Sequence, residues 1–339
     1  MADIPDPAHI LAIAPNWLGD AVMCTPALRA VKRRFPGSTL AVAGQPSICT
    51  LLDGLPWIDR LLPLPSLRGL FSLLTAAWSV AEDARDLAVV FPHSFRAALL
   101  ARLARAPRRI GYNRDNRRWL LTDAPEPYRE NGVITPVYMA REYLELVVPL
   151  GCDDDGLGLE LATDPAVRAA VRERFAGDGP LVALAPGAAF GPAKRWPAER
   201  FAAVADALAA QRGARCVLLT GPNEADTRAA VLAAAKSPLL EFPGGGIARL
   251  KAVLAEADLL VGNDSGPRHV AIAFGKPVVC IMGPTSPLYT DSPWEKGCLL
   301  RVDVDCGPCQ KPVCATDHRC MTRITADAVV EAALPFLQQ

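Results

Sequence analysis

Along the chain, short runs of consecutive apolar residues alternate with longer stretches in which apolar residues recur every three or four positions. Residues 10–15 form the first run and predict a strand. Residues 21–35 follow, with Val22, Leu28, Val31 and Phe35 at helical spacing, and stop at Pro36-Gly37. Runs at 39–43 and 87–91 predict two further strands, the second leading into a helix over 94–106. Strand–helix–strand alternation of this kind implies a parallel sheet covered by helices.

The rhythm breaks between 152 and 180, where Cys152-Asp153-Asp154-Asp155-Gly156 is acidic and turn-rich, and then resumes. Strands are predicted at 181–185, 216–220, 259–262 and 278–282, and helices at 198–212, 225–235, 247–257 and 267–274. The expected organisation is therefore α/β throughout, with a first domain over 1–160 and a second over 161–324. A last helix over 325–339 carries Val329, Val330, Ala333 and Leu337 on one face and is expected to pack back on the first domain. A length of 339 residues suits two domains, and no short fixed period marks a solenoid.

Composition narrows the function. Hydrophobic residues make up 51% of the chain, enough for full cores. Lys+Arg and Asp+Glu both number 36, so the global basic excess of a nucleic-acid binder is absent and no nucleic-acid partner is expected. The longest apolar stretch, 69–81, is interrupted by Ser72, Thr75 and Ser79 and is too short to span a bilayer. Residues 1–6 lack the basic start and apolar core of a secretory signal, which makes the cytoplasm the expected compartment.

Ligands of open parallel sheets bind at the carboxyl ends of the strands, and three loops there carry chemistry. In Asn16-Trp17-Leu18-Gly19-Asp20, Gly19 allows a tight turn. Asp20 reads either as an N-cap or as a general base for an attacking hydroxyl. The second loop, 186–197, combines small residues with Lys194, a point charge for phosphate. It fits neither the P-loop nor the GxGxxG spacing. The third, Asn263-Asp264-Ser265-Gly266-Pro267-Arg268-His269, opens a helix whose first N–H groups suit a diphosphate. There Asp264 is placed to accept hydrogen bonds from sugar hydroxyls, and His269 lies one turn into the helix.

These segments, with Pro92-His93-Ser94-Phe95-Arg96, Phe190-Gly191-Pro192-Ala193-Lys194-Arg195-Trp196-Pro197 and Gly283-Pro284-Thr285-Ser286-Pro287, resemble the bacterial lipopolysaccharide heptosyltransferases. This is glycosyltransferase family nine, and the likeness is greatest to the heptosyltransferase II type. The resemblance runs over nearly the whole chain. It implies the GT-B architecture, two Rossmann-like domains facing across a cleft. It also implies inverting transfer of a heptose from ADP-heptose to an inner-core sugar of a lipid A-core oligosaccharide, with no cofactor required. On that reading Asp20 is the catalytic base and Lys194 neutralises donor phosphate. Asp264, Ser265, Gly266 and His269 bind the donor, with Glu224 near its ribose. His93 and Arg96 contact the acceptor; Arg117 and Arg118 do the same or form a solvated basic face. A lipid-linked acceptor further implies transient contact with the inner membrane surface. Two other readings stay open: a GT-B enzyme using a UDP- or GDP-sugar, and a non-catalytic nucleotide-sugar binding module.

Of ten cysteines, Cys216 and Cys280 lie in apolar runs and read as small core residues. Cys306, Cys309, Cys314 and Cys320, with His318 among them, are spaced like the ligands of a structural zinc or an iron–sulfur cluster; unligated thiols in a compact loop are the alternative.

Overall fold

The computed structural model describes residues 6–67, 69–241 and 246–337; the start of the chain, read above for a signal segment, lies mostly outside them. The chain divides into two compact units between Ala162 and Thr163, two residues beyond the expected boundary.

The first unit holds five parallel strands, β1 (His9–Ile13), β2 (Thr39–Gly44), β3 (Arg60–Pro63), β4 (Leu87–Val90) and β5 (Arg108–Ile110), in the order β3-β2-β1-β4-β5. Its helices are α1 (Leu18–Met23), α2 (Thr25–Arg34), α3 (Pro46–Leu52), α4 (Leu70–Ser79), α5 (Phe95–Leu103) and α6 (Met139–Val147). A small antiparallel pair, β6 (Arg129–Glu130) and β7 (Val133–Ile134), precedes α6. The register Ile10↔Leu40 and Ile10↔Leu87 puts β1 at the centre, between β2 and β4. The chain therefore reverses direction across the sheet between β1 and β4. One core layer joins Leu11, Ile13, Ala41 and Val90 of the sheet to Leu73, Ala76 and Ala77 of α4 and Ala97, Leu100 and Ala101 of α5.

The second unit repeats the plan with α7 (Pro165–Arg174), β8 (Leu181–Ala185), α8 (Ala198–Arg212), β9 (Arg215–Leu218), α9 (Ala225–Ala234), β10 (Leu240–Glu241), α10 (Gly246–Glu256), β11 (Leu259–Asn263), α11 (Gly266–Ala273), β12 (Pro277–Met282), β13 (Lys296–Arg301), α12 (Arg319–Thr322) and α13 (Ala326–Ala333). Its six parallel strands run β10-β9-β8-β11-β12-β13, with the reversal between β8 and β11. Each unit is thus Rossmann-like, and each has one topological switch point at which a ligand is favoured.

One expectation is corrected. The single helix predicted over 21–35 is two. Pro26 has no N–H for the Val22 carbonyl, and the Thr25 hydroxyl donates to that carbonyl instead, at 2.7 Å. Val329, Val330 and Ala333 of α13 are buried in the second unit's core with Phe201, Val204 and Leu208 of α8.

Candidate active site

The second unit's switch point is built from the loops that follow β8 and β11. Asn263, the last residue of β11, ties them together: its side-chain Nδ2 donates to Pro186 O at 2.7 Å and its Oδ1 accepts from Trp196 N at 3.1 Å. The Trp196 indole is anchored by donating to Ile324 O at 2.9 Å and by edge-on packing against Phe201, 5.0 Å away. Both ends of the loop carrying Lys194 are therefore fixed.

Within that loop a short 3-10 turn, Pro192–Lys194, presents the ammonium. Lys194 Nζ donates to Asp264 Oδ2 at 2.6 Å and to Asp264 O at 3.1 Å, and stands 5.4 Å from the centre of the Phe190 ring. Asp264 is only 3% exposed. Its Oδ1 accepts from Arg268 Nη1 at 2.9 Å, and Oδ2 accepts also from Thr285 Oγ1 at 3.0 Å. Arg268, wholly buried, makes a bidentate pair with Glu295 at 2.9 and 2.6 Å and donates to Thr290 Oγ1 at 3.2 Å. Burial alone would raise the Asp264 pKa, but Lys194 and Arg268 overcome it and hold the carboxyl well below the usual range.

The expectation for Asp264 is a carboxylate open to sugar hydroxyls; here both of its oxygens are engaged within the protein and the group is buried. It orients the Lys194 ammonium, which has three N–H groups and directs two of them at this residue. His269 is also buried, at 3% exposure. Burial, then Arg268, push its imidazole down to about 3, so it is neutral at physiological pH. Its Nδ1 has no hydrogen-bond partner among the described residues. Ser265 is the N-cap of α11 with an extended backbone, its side chain makes no cap, and Pro267 sits in the first turn. The α11 start thus lies immediately beside Lys194, a pairing of helix end and cation suited to a diphosphate.

Glu224 closes this group from β9. Its Oε2 accepts from Gly221 N at 2.6 Å, and its carboxylate lies so close to Gly187 that a Cβ there would stand 2.0 Å from Oε1. Only glycine at 187 lets the first turn of the Lys194 loop and this carboxylate come together.

In the first unit, Asp20 is the third residue of α1, not its N-cap; Trp17 holds that position, 55% exposed. Asp20 is half-buried. Burial pushes the Tyr143 hydroxyl and the Cys24 thiol well up, and the Asp20 carboxylate adds to both shifts, which places it beside α6 and the α1–α2 junction.

His93 follows β4, the neighbour of β1, so both candidates sit at this unit's switch point. Arg114 Nη1 lies 2.8 Å from His93 Nδ1. A guanidinium only donates, so Nδ1 accepts and the proton is on Nε2. That nitrogen is 3.0 Å from Oε1 of the buried Glu142, at an angle that is not that of a hydrogen bond. Arg96 is exposed in the first turn of α5, apart from this network. Arg117 and Arg118 part company: Arg118 is exposed, whereas Arg117 is fully buried and donates to the backbone oxygens of Tyr112, Pro92 and Ser94. Burial pulls its pKa down to about 10. Arg117 shapes the His93 loop and is neither a ligand contact nor a solvated charge.

Cys306, Cys309, Cys314 and Cys320 line one pocket of about 90 Å³ with His318, and all are free thiols. Burial raises the Cys320 pKa, and the other three thiols add to it. Among the described residues no three His, Cys, Asp or Glu side chains are arranged to hold a metal, so the cluster does not fit the zinc or iron–sulfur site its spacing suggests. Its loop does touch the Lys194 turn: Ala193 N donates to Pro312 O at 3.0 Å, and His318 Nε2 is 2.7 Å from Ala193 O.

Sequence reasoning missed Arg268 and Glu295 as parts of the Lys194 site, and Glu142 and Arg114 as partners of His93; it marked the segment carrying Thr285 without giving that hydroxyl a partner. Only Arg268 had a local signal, at i+4 from Asp264.

The glycosyltransferase family 9 (heptosyltransferase) family model matches residues 76–319, more than half of the chain. The lipooligosaccharide heptosyltransferase 2 of Haemophilus influenzae is 29% identical over 87% of this chain and 88% of its own. Among solved structures, the ADP-heptose lps heptosyltransferase II of Escherichia coli aligns with a TM-score of 0.81 and 26% identity, covering 97% of this chain and 98% of that one. A glycosyl transferase family 9 protein from Veillonella parvula shares the fold, with a TM-score of 0.84, 23% identity and 98% of each chain covered. The fold is that of the GT-B heptosyltransferases, and the chain belongs to glycosyltransferase family 9, the heptosyltransferases.

Proposed function

We propose that this glycosyltransferase moves a heptose from ADP-heptose to an inner-core sugar of lipopolysaccharide, with inversion at the anomeric carbon. The observation that carries the reading is the Lys194 ammonium, locked 2.6 Å from a buried carboxylate beside the start of α11 at a Rossmann switch point. A cation so fixed needs no reorganisation to meet a diphosphate, and stabilises the charge that builds on it as the glycosidic bond breaks. Glu224, at the adjoining strand end, is placed for the ribose hydroxyls. Ser265 and Gly266 offer the helix start, and His269 serves as neutral packing beneath it.

Asp20 supplies the other half of the chemistry. A sugar hydroxyl is a poor nucleophile at its own pKa; a carboxylate that takes its proton as the new C–O bond forms contributes about 10²–10⁴-fold. His93 and Arg96 are proposed to receive the acidic or phosphorylated core sugar, with Arg114 fixing the His93 tautomer. No helix among the described residues is long and apolar enough to cross a membrane. The proposed setting is the cytoplasm, with peripheral contact at the inner face of the cytoplasmic membrane where a lipid-linked acceptor is presented.

A transfer assay with ADP-heptose, UDP-sugars and GDP-sugars against truncated lipopolysaccharide cores tests the reading. Saturable product formation with ADP-heptose is expected. Turnover with a UDP- or GDP-sugar and none with ADP-heptose would replace the donor assignment. ADP-heptose binding without turnover on any core would mean a binding module.

A further inference from the structure

The α4 helix is apolar on both sides. Leu73, Ala76 and Ala77 face the core, yet the opposite side carries Leu70, Phe71, Leu74 and Trp78, exposed to 71, 81, 46 and 85%. Phe71, Leu74 and Trp78 follow one another at i, i+3 and i+7 and so form one stripe. A helix apolar all round is normally buried; an exposed apolar patch marks a contact surface. The helix α5 packs beside α4 and opens the most basic stretch of the molecule: residues 95–119 hold eight arginines and a single acid, Asp115. Of these, Arg96, Arg102, Arg105 and Arg118 are exposed and make no salt bridge among the described residues. The same stretch exposes a ring pair, Phe95 and Trp119, with centroids 6.0 Å apart.

We infer that the α4–α5 face of the first unit docks on an anionic phospholipid bilayer. A ten-residue helix is about 15 Å long, too short to span, and suits the plane of the interface. There Phe71, Leu74 and Trp78 enter the acyl boundary while the arginines meet lipid phosphates. A chain of zero net charge that concentrates unpaired arginines beside an uncharged apolar helix has the two complementary features such a surface requires. Because α5 begins directly after His93 and Ser94, docking here brings the β4–α5 loop to the surface in which a lipid-linked acceptor is anchored. The inference rests on the peripheral contact proposed above and names the surface that makes it.

The test is co-sedimentation of the full chain with vesicles of phosphatidylethanolamine and phosphatidylglycerol, and with vesicles of phosphatidylcholine alone. Binding to the anionic vesicles is expected. It should weaken at least about tenfold in the double variant Phe71→Ser/Trp78→Ser, which loses the two exposed aromatic rings that docking would bury. It should weaken also at about 0.5 M salt and in Arg102→Gln/Arg105→Gln, through the charge term. Because the substituted side chains are exposed, thermal melting should be unchanged. Transfer to a delipidated, soluble core should be unchanged in these variants, and transfer to acceptor embedded in vesicles should fall. Equal partitioning of wild type and Phe71→Ser/Trp78→Ser overturns the inference. So does a dimer that Phe71→Ser/Trp78→Ser dissociates in the absence of vesicle binding, which would assign the face to a second copy of the chain. Vesicle binding lost as described, in a protein that transfers no heptose to any soluble core, upholds the surface and rejects the transfer reaction instead.

Discussion

Asp264 accepts hydrogen bonds from three side chains, and a buried carboxylate so occupied acts on its partners rather than on a ligand. It separates two cations, Lys194 at 2.6 Å and Arg268 at 2.9 Å, that would otherwise repel each other in a poorly solvated site. Breaking a buried pair by removing one member costs about 3–5 kcal/mol. Asp264→Asn should therefore lower stability to urea by that order and loosen Lys194 as well. Lys194→Met should be the milder change in stability, since Arg268 and Thr285 remain on the carboxylate, yet it should abolish most transfer. Finding the two in the opposite order of stability would show that Asp264 is not held in place by Arg268. His269 adds a pH dependence. Its folded pKa of about 3 lies below the ordinary value near 6.5. Between those limits the unfolded chain holds a proton that the folded chain lacks, so stability falls with acidification, by up to about 1.4 kcal/mol per pH unit. Urea midpoints from pH 6.5 to 5 should drop less in His269→Gln than in wild type. The sequence singled out Asp264 and the segment carrying Thr285, but their contact and the Glu295–Arg268 pair became visible only in the folded sheet.

At the scale of elements, the strands legible from apolar runs were β1, β2, β4, β8, β9, β11 and β12, the inner strands of both sheets. Besides the short β6–β7 pair, those missed, β3, β5, β10 and β13, are the four edges of the parallel sheets. Edge strands are half-exposed and so carry polar residues: β3 is Arg-Leu-Leu-Pro, and β13 begins Lys-Gly. Their hydrophobic signal is diluted for the same reason that they are edges. Loops were legible by composition, but their contacts were not. Gly191 shows why: its φ is +154°, and a Cβ would stand 2.3 Å from the Pro312 carbonyl oxygen. The cysteine-bearing loop lies that close to the turn that presents Lys194. Gly191→Ala must displace one of the two backbones, so it should cost about 1–3 kcal/mol in urea denaturation and lower kcat/KM for transfer with the ammonium untouched. A full transfer rate in that variant would mean the loop does not position Lys194. At Gly187 the obstacle is a side chain. Gly187→Ala should destabilise, and adding Glu224→Ala should recover part of that loss, a coupling a double-mutant cycle reads directly.

At the scale of the whole molecule, the two units share one strand plan but carry different chemistry at their switch points. The second offers a fixed cation and a helix start, the pair proposed to bind and stabilise a diphosphate. The first offers Asp20 and His93 in the loops after the neighbouring strands β1 and β4, a carboxylate proposed to take a proton. The βα rhythm and the length announced two domains, and the marked residues of both fall in loops after inner strands, where the proposed division of chemistry puts them. That division predicts a separation of binding from catalysis. Asp20→Asn keeps the size of the side chain and removes the proposed base. It should leave ADP affinity, measured by titration calorimetry, unchanged while transfer falls by about 10²–10⁴-fold. Lys194→Met should lower ADP affinity and transfer together, because the same ammonium meets the diphosphate in the bound state and in the transition state. An Asp20→Asn chain that loses ADP affinity as strongly as Lys194→Met does would place the nucleotide against the first unit and undo the assignment of the base.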